Sequence, residues 1–283
     1  MRKFEEMKQL IAELERANYT VPTELDFNAA IADMLHFVGD TDSDLREGIY
    51  KAFDTLNDNG AFSPDQMRHI LTTTLDDRHL FLGIGESGTD TVFMRAFSSL
   101  IICVAFCMHD ENPFLTSAEI QHVRGTVLRY ISQEKDYCGY VPGKGWAHAI
   151  AHAADALANI AGVDKATDID GDYSIGREGL LEILDAIKML AINPALVYDA
   201  EEDERLAEAA MYVIYTEVLS NDDMCSWIAD FAKYIDRNTM PSDYFRKINQ
   251  KHFLRSLYFE LIADDDLKEL SKFLFDIMTK KEN

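Results

Sequence analysis

The chain has 283 residues, and its 27 basic against 50 acidic side chains give a formal net charge of −23. Such a charge repels a nucleic-acid backbone and an anionic membrane surface, so we expect neither as a partner. Apolar residues make up 47% of the chain, which excludes a disordered protein and allows a sizeable core.

The N-terminal residues and the cysteines indicate the cellular compartment. Residues 1–17 have the pattern of a charged amphipathic helix and not of a secretory signal. The four cysteines include no CxxC pair, which argues against a thiol-based zinc or redox site. We therefore expect a cytoplasmic protein with free thiols, and we expect Cys103 and Cys107 to be buried one turn apart on an apolar helix.

Helical periodicity runs through almost the whole chain. It predicts twelve helices, at residues 2–17, 24–37, 43–57, 64–76, 90–108, 117–133, 144–162, 176–192, 201–219, 222–237, 242–262 and 265–280. The segment 212–216 is rich in strand-favouring residues, but the helix formers before it favour a helix. No other segment alternates convincingly, so no strand is predicted.

Two helix starts are marked by capping boxes. Ser63 and Gln66 flank Pro64 at the first helical position, and Thr116 is followed by Glu119. The most apolar run, from residue 96 to 108, is too short to span a bilayer, so it predicts a buried central helix.

Twelve helices with short connections predict an all-α fold of stacked antiparallel helical hairpins. This is a HEAT-like α-solenoid or an irregular α-α superhelix, since no sequence repeat is legible. We expect a single domain over residues 1–283, with a weak joint near 193–202.

Three motifs suggest chemistry but lack its context. The glycines of 83–88 match GxGxxG, yet no βαβ unit surrounds them, so a tight loop before a helix near residue 90 is expected. Residues 168–172 resemble a calcium loop, but Tyr173 and Gly179 stand where that loop needs glycine and glutamate. His109 and Asp110 resemble a phosphohydrolase pair, but a helix end facing water is the simpler interpretation.

A polar stripe over 144–162 is the strongest candidate site. His148, His152, Asp155 and Asn159 share one helix face, and two imidazoles one turn apart can bind a single metal ion. Ala149 stands where zinc proteases carry their catalytic glutamate, so that reaction is not supported. The alternative is a polar stripe that only bonds to neighbouring helices or faces water.

A third metal ligand would have to come from elsewhere, and Glu134 or Asp136 are the nearest candidates upstream. Asp155 lies two turns above His148 and fits the role of orienting His152. Because alanines surround the histidines, we expect neighbouring helices to approach closely and to bring Glu134, Asp136 or Arg95 against them.

Several blocks of the chain together resemble a known family. They are Gly-Ile-Gly-Glu at 83–86, Val-Phe-Met-Arg-Ala-Phe-Ser-Ser-Leu at 92–100, Glu-Lys-Asp-Tyr-Cys-Gly-Tyr at 134–140, Gly-Trp-Ala-His through Asp at 145–155 and Glu-Asp-Glu-Arg-Leu at 202–206. In this order they resemble the bacterial domain-of-unknown-function family 2785, over about residues 40–220. The resemblance implies a bacterial, cytoplasmic, helical protein and no particular reaction.

The resemblance also implies a polar cluster. Its members are Arg95, Glu134, Asp136, His148, His152, Asp155, Asp203 and Arg205, of which helical spacing alone supports only the two histidines and Asp155. We nominate Glu134, Asp136 and Asp155 as catalytic groups, Arg95, Asp203 and Arg205 as ligand-binding groups, and His148 and His152 as metal ligands. Cys138 departs from the pattern, where the family is expected to carry arginine.

Three functions remain open from the sequence. The first is a binding module that holds a protein or peptide in a polar groove around the His148/His152 helix. The second is a metal-dependent hydrolase with the two histidines as ligands, for which zinc is the suggested cofactor. The third is a carrier or sensor of a small molecule that uses the same pocket without turnover.

Overall fold

We describe a computed structural model, in which residues 1–163, 175–232 and 241–279 are placed. The helices are α1 (Phe4–Arg16), α2 (Phe27–Phe37), α3 (Ser43–Asp58), α4 (Pro64–Thr74), α5 (Thr91–Glu111), α6 (Ser117–Gln133), α7 (Ala149–Gly162), α8 (Gly176–Ala191), α9 (Glu202–Tyr215), α10 (Asn221–Ala232), α11 (Ser242–Ala263) and α12 (Lys268–Thr279). A 3₁₀ turn, Asp265–Leu267, precedes α12, and two short strands, β1 (Tyr140–Val141) and β2 (Gly145–Trp146), form an antiparallel hairpin.

The predicted all-α fold is confirmed, and local sequence explains where several helices begin. The side chains of Ser63 and Thr116 accept hydrogen bonds from the amides of Gln66 and Glu119, which completes both capping boxes. Asp42 caps α3 in the same way by accepting from the amide of Leu45. Such caps satisfy amides that have no partner inside the helix.

The prediction was wrong at residues 144–148, where a hairpin replaces the first turn of the expected helix. The amides of Ala147 and His148 both donate to the carbonyl of Gly139, at 2.8 and 3.0 Å. The amide of Ala149 donates to the carbonyl of Cys138. These bonds hold the chain against the segment before β1, so α7 begins only at Ala149.

The odd-numbered helices pack one beside the next. α3 packs on α5, α5 on α7, α7 on α9 and α9 on α11, whereas α4, α6 and α8 each contact one or more helices of this series. α7 is the most enclosed helix in the series, because it contacts α5, α6, α8 and α9. The candidate histidines therefore lie at the centre of the chain of packed helices.

α5 forms the apolar centre predicted from residues 96–108. By length and composition alone it would pass as a membrane span, but 78% of its most apolar window is buried inside the protein. The buried apolar side chains of α5 belong to one continuous cluster that runs from Met7 to Leu274. Cys103 is buried as expected, whereas Cys107 is exposed, which corrects the prediction for that thiol.

The segment 193–202, predicted as a weak joint, is tied to α11 by one buried side chain. The amide nitrogen of Asn249 donates to the carbonyls of Asn193 and Leu196, and its oxygen accepts from the amide of Tyr198. A buried asparagine that satisfies three backbone groups stabilises a loop without regular structure.

The turn after α2 depends on a glycine. A Cβ atom at Gly39 would lie 2.2 Å from the Cα atom of Met94, which is closer than any real contact. The neighbour is backbone of α5, so it cannot move aside as a flexible side chain would. α2 and α5 can therefore meet here only because residue 39 has no side chain.

We expect the substitution Gly39→Ala to lower the free energy of unfolding by about 1–3 kcal/mol, the usual range for overpacking a buried contact. Gly125→Ala in α6 is the matched control. Its Cβ would meet open space, so it should stabilise the helix by about 0.5–1 kcal/mol. Urea denaturation measures both. Wild-type stability of Gly39→Ala would contradict the close approach of residue 39 to α5.

Candidate functional site

His148 precedes α7 in a left-handed backbone conformation. Its φ of 48° and ψ of 40° are rare for a residue with a side chain. The bonds to Gly139 fix this conformation, and the carbonyl of His148 then accepts the amide of His152 at the start of the helix. The chain thus keeps a histidine where glycine would fit with less strain, a feature that is common at functional sites.

Four aromatic rings contact one another in series, from the hairpin to the core. The Trp146 ring lies parallel to the His148 ring, with 4.4 Å between the ring centroids. The His148 ring lies 5.6 Å from that of His152, which meets Phe97 of α5 edge-on at 5.1 Å. Trp146 is 42% exposed and His152 only 8%. This series of rings therefore extends from the surface to the core.

Burial keeps His152 uncharged. It lowers the pKa of His152 from 6.5 to about 3, with smaller contributions in the same direction from His148 and Arg205. Burial also lowers the pKa of His148, which is half-buried. The Nδ1 atoms of both rings are shielded from solvent and have no hydrogen-bond partner among the described residues. Two neutral imidazoles thus face each other with unused polar atoms.

Arg46 of α3 holds the hairpin in place by hydrogen bonds, a role that sequence analysis missed. Its guanidinium is buried and donates to the carbonyls of Asp40, Lys144 and Trp146 at 2.6 to 3.0 Å. The same group lies over the ring of Phe97, 4.9 Å from its centroid. Only a helical pattern surrounds Arg46 in the sequence, so nothing there marks it as different from a surface arginine.

Asp155 and Arg205 form an ion pair between α7 and α9. Both oxygens of the carboxylate accept from the guanidinium, with the Nε bond at 2.7 Å. Asp155 is largely buried, whereas Arg205 is exposed. Burial raises the pKa of Asp155, and the arginine opposes this rise. Asp155, which we nominated as a catalytic group, is therefore bound to Arg205, which we nominated as a ligand-binding group.

Arg95, Glu134 and Asp136 form a second cluster, with one another and not with the histidines as expected. The guanidinium of Arg95 donates to both oxygens of Glu134, at 2.6 and 2.9 Å, and both side chains are buried. Arg95 also donates to the carbonyl of Leu82, while Asp136 accepts from the amide of Gly88. No hydrogen bond or ion pair among the described residues joins this cluster to either histidine.

This second cluster fixes the glycine-rich loop of residues 83–88 against the segment after α6. Arg95 and Glu134 form a buried bidentate pair, and Asp136 accepts from the amides of Gly88 and Cys138, so all three side chains are engaged within the fold. Asp203 is likewise engaged, since it accepts from the hydroxyl of Ser256 at 2.7 Å. The structure thus separates the predicted polar cluster into contacts that hold the fold and a smaller group around α7.

Cys138 lies beside the second cluster. Its amide donates to Asp136, and burial together with that carboxylate raises the pKa of the thiol to about 12. An arginine here, as the family resemblance leads us to expect, would meet the carboxylate of Asp136. Because the thiol of Cys138 is neutral, the carboxylate of Asp136 is stabilised instead by hydrogen bonds from the backbone amides of Gly88 and Cys138.

The predicted metal ligands lack a third partner. In the part of the chain that the structure describes, no group of three histidine, cysteine or acidic side chains is arranged to hold a metal ion. The nearest nominated carboxylates are engaged by Arg95 and Arg205. The calcium-like residues 168–172 lie outside the described residues. His109 is buried, not solvent-facing as expected, and accepts from the amides of Phe114 and Leu115.

A groove continues the α7 stripe toward the far end of the helix. It has a volume of about 470 Å³ and lies between the C-terminal halves of α5, α7 and α9. Cys107 and Asn159 form part of its wall and contact each other through the thiol and the amide oxygen. Tyr212 and Tyr215 line it from α9 and are each 41% exposed. We call the surface from Trp146 through this groove to Tyr215 the α7 face.

Sequence analysis found the histidine end of the α7 face and missed its other end. The i, i+3 spacing of Tyr212 and Tyr215 was available as a signal. In the sequence alone, these residues indicate only whether the segment 212–216 is a helix or a strand. Which helix lies opposite these tyrosines is a tertiary fact that spacing alone cannot give.

The fold and this face define an all-α protein with a partly exposed polar and aromatic surface. A family model described as a protein of unknown function, DUF2785, matches residues 80–259. The chain belongs to this family, which confirms the resemblance seen in the sequence. No curated protein and no solved structure matches the chain. The match begins before α5 and ends within α11, so it covers the whole α7 face.

The neutral, buried His152 makes stability depend on pH. Between pH 6.5 and its folded pKa of about 3, the unfolded chain binds a proton that the folded chain does not. Acidification therefore favours unfolding, and lowering the pH from 7 to 5 should cost about 2 kcal/mol through this residue, at 1.36 kcal/mol per pH unit.

We expect this part of the acid sensitivity to disappear in His152→Gln. Urea denaturation at pH 7 and pH 5 measures it, with exposed His36→Gln as the control. Independently, the imidazole NMR signals of His152 should stay those of the neutral ring down to pH 5. Protonation of the ring near pH 6.5 in the folded protein would contradict the burial of His152.

Proposed function

We propose that this chain is a binding protein without catalytic activity, and that its α7 face holds a peptide segment of a protein partner. The observation that carries this proposal is the open groove beside the α7 stripe. Asn159 of the largely buried helix α7, together with the exposed tyrosines Tyr212 and Tyr215, lines a cleft of about 470 Å³.

The serial packing of α3, α5, α7, α9 and α11 supports this proposal. Stacked helical hairpins produce such a series, and their inner layer forms an extended surface suited to binding chains. We therefore take the finer architecture to be a short α-solenoid whose inner layer is the odd-numbered helices. The α7 face would then be the middle of its binding surface.

The chemistry of the α7 face also suits a peptide. Trp146, Tyr212 and Tyr215 offer rigid apolar area, and aromatic side chains dominate the energetics of binding sites. Asn159 offers hydrogen-bonding groups at the edge of the groove. A mixture of aromatic anchors and few polar groups gives both affinity and register.

The hydrolase alternative has weaker support. A metal-dependent reaction needs a third ligand and a base, and among the described residues the nominated carboxylates Glu134 and Asp155 are bound to arginines. The carrier alternative uses the same surface, and it differs only in the size of what is bound. The experiment below separates a peptide from both.

We expect a random dodecapeptide library, displayed on phage and selected against the purified protein, to converge on a sequence family. Asn159→Arg, which places a bulky side chain in the groove, should weaken those peptides at least about tenfold, or 1.4 kcal/mol. The control with the same charge change is Gln9→Arg, at an exposed position of α1. This variant should bind the peptides as the wild type does.

Thermal unfolding of both variants establishes that each is folded before binding is compared. Failure of the library to converge would contradict the proposal. So would convergent peptides that bind Asn159→Arg and wild type equally, because they would occupy another surface.

A further inference from the structure

We propose that the partner segment is a basic amphipathic helix, whose apolar side chains enter the groove between α5, α7 and α9 and whose lysines and arginines meet its acidic rim. This inference rests on the proposed function of the α7 face and names the chemistry of its ligand. It follows from the floor of the groove, the charges around it and the shape that it leaves open.

The floor of the groove is largely apolar. Phe106, Val163 and the two exposed tyrosines Tyr212 and Tyr215 line it. At Gly162 a Cβ atom would lie 3.3 Å from the Tyr212 ring, so the bare backbone of α7 lets that ring lie close against the helix. Aromatic side chains exposed in a concave surface are typical of a site that an apolar partner covers.

Carboxylates lie around the described part of the rim of the groove. Asp110 lines the groove itself, at the end of α5. Asp54 and Asp58 of α3, with Asp110, act on the thiol of Cys107, whose pKa is raised first by its burial and then by these charges. Among the described residues, α3 and α5 therefore both bring carboxylates to this end of the groove.

α9 and α11 add further carboxylates. Burial raises the pKa of Tyr212, and Glu208 and Asp110 raise it further. Burial likewise raises the pKa of Tyr215, with Asp264 and Glu260 acting in the same direction. Arg205, the cation on the same face of α9, is neutralised by Asp155. The field at the groove thus selects a positively charged partner.

The shape of the groove favours a helix over a strand. It lies between neighbouring helices, which is the geometry in which an amphipathic helix inserts anchors spaced at i, i+3, i+4 and i+7. Adding a strand requires an open sheet edge, and the described residues offer only the two-residue strands of the hairpin. An extended acidic peptide would meet the rim with like charge.

The first experiment measures which charge the groove accepts. The probes are two fluorescein-labelled peptides of the same leucine pattern, LKKLLKLLKKLLKL and the peptide in which glutamate replaces every lysine. Binding is followed by fluorescence anisotropy at physiological salt. We expect the lysine peptide to bind and the glutamate peptide not to bind.

A pair of double variants locates the effect, because a protein with a net charge of −23 attracts cations everywhere. Asp110→Asn with Glu208→Gln removes two of the rim carboxylates, and Glu5→Gln with Glu24→Gln removes two exposed charges far from the rim. The rim variant should weaken the lysine peptide about fivefold or more, since two exposed pairs contribute up to about 1 kcal/mol each. The control should change binding by less than about twofold.

Cys107 reports occupancy of the groove directly, because its thiol is exposed within the wall. Saturating lysine peptide should slow alkylation of Cys107 by N-ethylmaleimide, read by peptide mass spectrometry. The rate at Cys225 on α10 should stay unchanged as the internal control. An unchanged rate at Cys107 while the peptide is bound would overturn the inference, and so would equal binding by the two double variants.

The outcomes separate this inference from the proposed function. If the phage selection yields neutral or acidic peptides that Asn159→Arg abolishes, the α7 face binds peptides but the basic-helix inference is wrong. If no peptide of either charge binds and the library does not converge, both fail.

Discussion

The close packing of α7 is the constraint on which the rest of the structure depends. Seven alanines lie in this helix and all are buried, so its surface has little bulk and the axes of α5 and α9 can approach it. The few larger side chains on α7 then reach specific neighbours. His152 meets Phe97, Asp155 meets Arg205, and Asn159 meets Cys107. The polar stripe of α7 is therefore largely buried among the side chains of neighbouring helices.

Charge is distributed unevenly between the interior and the surface. Arg46 and Arg95 are among the largest fully buried side chains, and both are used to hold loops in place. Breaking one partner of a buried pair such as Arg95 and Glu134 typically costs about 3–5 kcal/mol, because the remaining charge stays unpaired. The described carboxylates around the groove add to the net charge of −23 on this side of the protein. This charge supports the proposal that the α7 face binds a cationic partner.

Helix positions and the buried centre could be predicted from the sequence, because they depend on local rules. Capping side chains such as Ser63 mark where backbone amides need partners, and apolar periodicity marks which face turns inward. The hairpin at residues 144–148 could not be predicted in this way. Its backbone is held by Gly139 and by Arg46, which is about a hundred residues away in the chain.

The candidate site was predicted only in part for the same reason. The spacing of His148 and His152 places their rings beside each other as expected. The expectation that Asp155 orients His152 is wrong, because the carboxylate of Asp155 is bound by Arg205. The expectation that Glu134 and Arg95 would join them did not account for the strong preference of these two side chains for each other. Tyr212 belongs to a different helix, and only the packing of α9 on α7 brings it to the same groove.

Hydrogen–deuterium exchange of the protein, with and without the peptide selected from the library, tests the central claim most directly. The claim is that a partner binds across α5, α7 and α9. Binding should slow exchange at the C-terminal turn of α5 and along the second half of α9, and leave α1, α2 and α12 unchanged. Protection confined to those outer helices, with none at α5 or α9, would contradict the account.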